Sequence, residues 1–111
     1  MAFEDTQLSV SQLSDADGTP VDVAGRSLLV FRLGGEVWAT QRACLHQGGD
    51  LGDGIVVDGT IVCPLHGWRF DIRTGIHTDS AYNCLRTYPV QVRDGRVYVD
   101  PSPNPLPQIP E

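Results

Sequence analysis

The apolar residues of this chain fall in short β-rich runs that come in pairs, each pair split by a turn dipeptide. Ser27 to Leu33 is followed by Gly34-Gly35 and then by Glu36 to Thr40, which predicts a hairpin about a two-glycine turn. Ile55-Val56-Val57 and Thr60-Ile61-Val62 flank Asp58-Gly59 and predict a second hairpin. Leu85 to Val92, the turn Asp94-Gly95 and Arg96 to Val99 predict a third. Shorter strands are expected near Gln7 to Val10 and Thr19 to Val23, and Ser11 to Asp15 leaves room for one turn of helix. No long amphipathic helix is legible. The pattern predicts an all-β fold, a small antiparallel sandwich or barrel base. Residues 43–84 are expected to be inserted between its strands as a subdomain, within a single domain of residues 1–100. Residues 101–111 carry five prolines and predict an extended tail, a surface wrap or a loose end. A PxxP-type docking ligand is the alternative for that tail.

The candidate chemistry sits in two short motifs, Cys44-Leu45-His46 and Cys63-Pro64-Leu65-His66, with sixteen residues between them. Each supplies one thiolate and one imidazole. Two cysteines on one iron and two histidines on the other is the ligand set of a Rieske-type [2Fe–2S] cluster. The two motifs are then expected on facing loops, with one cluster per chain between their tips. A structural zinc site is the competing reading, since two Cys and two His can also build a tetrahedron. Zinc fingers, however, usually group Cys with Cys and His with His, the latter on a helix. A Cys/His nucleophile pair leaves the second motif without a task. Gly48, Gly49, Gly52 and Gly54 follow the first motif and Gly67 the second. Glycines let a backbone approach closely and aim its N–H groups at cluster sulfurs, or simply make turns.

Composition narrows the partners. At 111 residues there is room for one domain, and a chain of this size buries roughly 65% of its unfolded surface. A bound metal group then adds directly to folding. The net charge of −6 argues against nucleic acid. All eight basic residues are Arg, which reads as codon bias rather than chemistry. No run of eighteen apolar residues is present to span a membrane. The opening Met1-Ala2-Phe3-Glu4-Asp5 places acids where a signal peptide is basic, so a cytoplasmic protein is expected. The third cysteine, Cys84, is expected to be a small buried or half-buried thiol. His77 stands among polar residues and is expected to be solvated.

The residues Ala43-Cys44-Leu45-His46-Gln47-Gly48-Gly49 and Cys63-Pro64-Leu65-His66-Gly67-Trp68-Arg69-Phe70 resemble the two cluster-binding boxes of the Rieske ferredoxins. The resemblance covers nearly the whole chain. It implies a three-sheet Rieske fold, a [2Fe–2S] cluster held by Cys44, His46, Cys63 and His66, and a role as one-electron carrier. Respiratory-chain members carry a disulfide between the boxes, where this chain has Gly49 and Leu65. They also place hydroxyl donors where it has Trp68 and Phe70. The soluble carriers remain. The opening residues and Asn83 to Val90 look most like the ferredoxin of toluene 4-monooxygenase and related bacterial diiron monooxygenases. Ferredoxins of Rieske aromatic-ring dioxygenases and the small subunit of assimilatory nitrite reductase are the alternatives. The implied partners are an NAD(P)H-dependent flavin reductase and a terminal oxygenase acting on hydrocarbon or aromatic substrates, with the chain itself a monomer.

A carrier rather than an enzyme also follows from the ligand count. Four protein ligands complete a two-iron core and leave no open position for substrate. Leu45, Gln47, Leu65, Gly67 and Trp68 are expected to ring the histidine edge with apolar surface, suited to a transient redox contact. Asp50, Asp53 and Asp79 lie nearby in sequence, to meet basic rims on partners or simply to solubilise.

Overall fold

Pro89 ends one strand and redirects the chain from one sheet into another, so the run from Leu85 to Val92 is not the single strand its apolar content predicts. The computed structural model describes residues 2–45, 49–65 and 67–106, with residues 80–82 described by their backbone alone. In chain order the strands are β1 (Glu4–Ser9), β2 (Thr19–Val23), β3 (Arg26–Leu33), β4 (Glu36–Gln41), β5 (Ile55–Val57), β6 (Thr60–Val62), β7 (Arg69–Asp71), β8 (Ile76–His77), β9 (Ser80–Cys84), β10 (Thr87–Tyr88), β11 (Val90–Arg93) and β12 (Arg96–Val99). They form three antiparallel sheets, ordered β1-β12-β11, β10-β4-β3-β2 and β5-β6-β7-β8-β9. A proline cannot donate to a ladder. On its N-terminal side Thr87 and Tyr88 pair with Thr40 and Ala39, and on its C-terminal side Val90 pairs with Val99.

The predicted hairpins form. Asp58 and Gly59 both take positive φ, at 48° and 75°, and so do Asp94 and Gly95, at 52° and 77°. This is the twist-matched two-residue turn that Asp-Gly favours. The helical turn is displaced to Val10–Gln12, where the Gln12 side chain accepts from the Ser9 N–H at 2.8 Å. Among the described residues no helix is long and apolar enough to cross a membrane.

Strand β3 carries the packing of the whole fold. Leu28 and Val30 point into one core with Leu13, Val23, Ala39, Tyr88, Val97 and Val99. Leu29 and Phe31 point the other way, into a second core with Leu51, Ile61, Phe70, Ile72, Leu85 and the two motif cysteines. Alternate side chains of a strand face opposite sides, so this four-stranded sheet is buried on both. Each such side chain contributes about 1.5–3 kcal/mol by leaving water.

The five-stranded sheet is a sequential meander, β5 to β9, made entirely by the chain between β4 and β10. Those two strands are themselves neighbours. The excursion therefore leaves and re-enters the four-stranded sheet at one edge, and both ligand motifs lie within it. Beyond β12 the tail stays close to the body as far as Asn104. Its N–H donates to the Thr87 carbonyl at 2.8 Å, and its side-chain amide reaches Thr87 Oγ1 at 3.1 Å. Residues 107–111 lie outside the described residues.

Candidate metal centre

The first motif sits in a loop that closes on itself. Past the end of β4, Ala43 bridges to Asp50, and the Cys44 N–H donates to the Gly49 carbonyl at 2.6 Å. Below this the Leu51 N–H donates to the Arg42 carbonyl at 2.9 Å. The Arg42 guanidinium clamps Asp50 through two parallel bonds, Nε to Oδ1 and Nη2 to Oδ2, both 3.0 Å. Asp50 Oδ1 also accepts from the Gly52 N–H at 2.7 Å. The arginine holds the Asp50 carboxyl below the usual carboxylate range. Asp50, expected as an acid for partners or solubility, instead fastens its own loop.

The second motif follows the β5–β6 hairpin, as predicted. The Cys63 N–H donates to the Trp68 carbonyl at 2.7 Å and closes the loop between them. Chain direction then reverses into β7, whose Phe70 is fully buried.

The two loops interlock. A β-carbon built on Gly49 would lie 3.1 Å from Cys63 Sγ and 2.9 Å from Leu65 Cδ1, so the first loop lies against the second. Gly49 and Leu65, the positions of the disulfide in the respiratory proteins, are thus face to face and cannot form one. Cys44 and Cys63 are 4% and 1% exposed, belong to the same buried cluster, and are in no disulfide. Two cysteines buried in one core, under loops that touch at Gly49, fit the cysteine half of a mixed Cys/His iron–sulfur site. His46 and His66 lie outside the described residues, as do Gln47 and Gly48.

Around this pair the surface is partly as expected. Leu45 and Leu65 are 44% and 43% exposed, one in each loop. Trp68 is not on the tip: it is half-buried and packs inward against the core that holds the cysteines. His77 is also not solvated. It is buried in β8, opposite Phe70 of β7, with its Nδ1 accepting the Asp79 N–H at 3.0 Å. Polar neighbours in sequence suggest exposure, but the aromatic residues that cover His77 are Phe70 of β7 and Trp68 just before that strand. Cys84 is half-buried on β9, its thiol 3.8 Å from the Thr74 carbonyl, and burial raises its pKa. It is not part of the buried group that contains Cys44 and Cys63.

Comparisons with known proteins point to the same iron–sulfur group. The family model for the Rieske [2Fe–2S] domain matches residues 6–89. The ferredoxin component of the naphthalene 1,2-dioxygenase system of Pseudomonas putida is 34% identical over 95 residues, covering 84% of this chain and 90% of that protein. The ferredoxin component of the alkene monooxygenase system of Xanthobacter autotrophicus is 31% identical over 98 residues, covering 87% and 80%. Among solved structures, the ferredoxin of carbazole 1,9a-dioxygenase from Nocardioides aromaticivorans IC177 superposes with a TM-score of 0.83. It is 31% identical and covers 92% of this chain and 100% of that one.

Proposed function

This chain belongs to the Rieske [2Fe–2S] family, and we propose that it is the ferredoxin of a bacterial multicomponent oxygenase, carrying electrons from an NAD(P)H-dependent flavin reductase to a terminal oxygenase. The observation that carries this reading is the pair of buried cysteines on two interlocked loops, with an exposed leucine in each. It is an electron-transfer component and not a catalyst. The thiolates of Cys44 and Cys63 would hold one iron and the imidazoles of His46 and His66 the other. When bound, the cluster supplies one-electron oxidation and reduction at a site with no open coordination position.

The chain's own residues provide the rest. Leu29, Phe31, Leu51 and Phe70 keep water from the cysteine side. The Cys44–Gly49 and Cys63–Trp68 hydrogen bonds and the Arg42–Asp50 clamp fix both loops before any partner arrives. Leu45 and Leu65 offer an apolar patch on the tip, small enough for a contact below about 1,200 Å² that forms and dissolves quickly. We assign residues 43–84 as the cluster-binding subdomain, residues 1–100 as the whole domain, and residues 101–111 as an appended tail. The site of action is the cytoplasm and the working unit a monomer. The first reading of the electron acceptor is a diiron monooxygenase, on the likeness of the opening residues and of Asn83 to Val90 to the toluene 4-monooxygenase ferredoxin. A ring dioxygenase is the second reading, supported by the naphthalene-system relative.

Stopped-flow measurement of each half-reaction tests the carrier role. Replacing Leu45 or Leu65 with Asp should slow both reduction by the reductase and oxidation by the oxygenase by roughly tenfold or more, with the visible spectrum unchanged. Burying an unpaired carboxylate against an apolar partner surface is costly. If only one half-reaction slows, the two partners use different faces and the shuttle through a shared tip is wrong.

A further inference from the structure

His77 is buried, and nothing in the function proposed above uses it. Its Nδ1 accepts the Asp79 N–H, which places the ring proton on Nε2. That Nε2 is itself buried and has no hydrogen-bond partner among the described residues. A buried donor without a partner costs about 1–3 kcal/mol, which a leucine or phenylalanine in the same space would not incur. The ring therefore does something that plain filling does not. It stands perpendicular to two aromatic neighbours, 4.5 Å from Trp68 at 83° and 5.2 Å from Phe70 at 86°. In this arrangement the edge of one ring meets the face of another, and a π face is the acceptor left for an N–H.

Trp68 is also the residue whose carbonyl receives the Cys63 N–H. Its indole and its carbonyl belong to one residue, so an indole held in place limits the backbone rotation that would carry the carbonyl away from Cys63. Strand β8 is only two residues long, yet it is pinned on both sides of His77. Phe70 pairs with His77 itself, and the Thr78 N–H donates to the Arg69 carbonyl at 2.9 Å.

We propose that His77 is a positioning residue for the second ligand loop: its ring, anchored at Nδ1 by the Asp79 amide, holds the Trp68 indole and with it the carbonyl that closes the loop on Cys63. The inference rests on the reading of Cys63 as a cluster ligand.

The experiment compares the full chain with His77→Ala and His77→Phe, following iron release to a chelator, the resonance of the reduced cluster, and the Trp68 indole N–H by NMR, assigned with Trp68→Phe. His77→Ala should release iron roughly tenfold faster, the scale on which outer-shell partners of metal ligands act. It should also shift the cluster resonance and move the Trp68 indole signal. His77→Phe keeps a ring in the same space but loses the Nδ1 anchor and the ring N–H, and should also release iron faster than wild type. Wild-type release and an unmoved indole in His77→Ala would overturn the proposal. So would a His77→Phe protein that releases iron at the wild-type rate, because filling the space with a ring would then suffice. If His77→Ala does not fold, the His77→Phe protein alone decides, since wild-type release there contradicts the proposal. A wild-type protein without iron would instead sink the ligand reading, while the indole signal would still report the His77–Trp68 contact.

Discussion

Gly49 stands so close to Cys63 that a methyl group placed on it would lie 3.1 Å from the Cys63 sulfur. The neighbouring Leu65 Cδ1, at 2.9 Å, ends a flexible side chain and can move aside, whereas a Cys63 sulfur that holds iron as proposed could not. Gly49→Ala should therefore strain the contact between the loops rather than the core. Overpacking of this kind typically costs about 1–3 kcal/mol. We expect faster cluster loss on chelator challenge, with little change in the folding of the four-stranded sheet. Equal rates for Gly49→Ala and wild type would show that the loops are not in close contact.

The Arg42–Asp50 clamp gives a pH dependence with a definite sign. The folded-state pKa of Asp50 is depressed, so its contribution is fully present above the unfolded carboxyl pKa, about 3.9. It is lost as pH falls through the lower folded value. Both side chains are 37% exposed, which keeps the pair in the range of about 0.2–1 kcal/mol. Asp50→Asn should be less stable than wild type at neutral pH, and the difference should shrink as pH falls below about 4. Thermal unfolding of the two proteins across that window measures it. A gap that widens in acid would contradict the assignment.

Much of this fold was legible, for physical reasons that attach to particular residues. Asp58-Gly59 and Asp94-Gly95 announce hairpins because their side chains tolerate the positive φ both turn positions need. The paired Cys/His motifs announce the site because few chemistries use that ligand order. Strands β7, β8 and β9 are not predicted: unlike β5 and β6 they flank no Asp-Gly turn, and β8 is only two residues long. Apolar content does not record a change of sheet, so the run around Pro89 reads as one strand. The Arg42–Asp50 clamp and the burial of His77 depend on how separate segments meet, which no local pattern carries.

The two faces of β3 separate stability from site integrity. Leu29 packs in the core that contains Cys44 and Cys63, and Val30 in the opposite core. Leu29→Ala should destabilise the protein by about 2–5 kcal/mol and also accelerate cluster loss. Val30→Ala should lower the unfolding temperature while leaving the visible spectrum and iron retention under native conditions unchanged. Identical effects on iron retention from the two variants would mean that the two cores are not independent.

The reduction potential follows from what lies beside the second motif. Trp68 and Phe70 carry no hydroxyl donor, and both rings pack around His77. Without such donors the reduced state is less stabilised, so the midpoint should lie near the low end of the Rieske range, about −150 to +300 mV. Protein-film voltammetry gives the value directly. A midpoint above about +100 mV would identify some other donor or charge as the controlling group.

Iron and acid-labile sulfide analysis joined to electron paramagnetic resonance decides whether Cys44, His46, Cys63 and His66 hold a [2Fe–2S] cluster. Two irons and two sulfides per chain are expected, with a reduced-state signal of the low average g value that mixed His/Cys ligation gives. The signal should be lost in Cys44→Ser and Cys63→Ser and kept in Cys84→Ser. A colourless protein with stoichiometric zinc, or loss of the signal in Cys84→Ser, would contradict it.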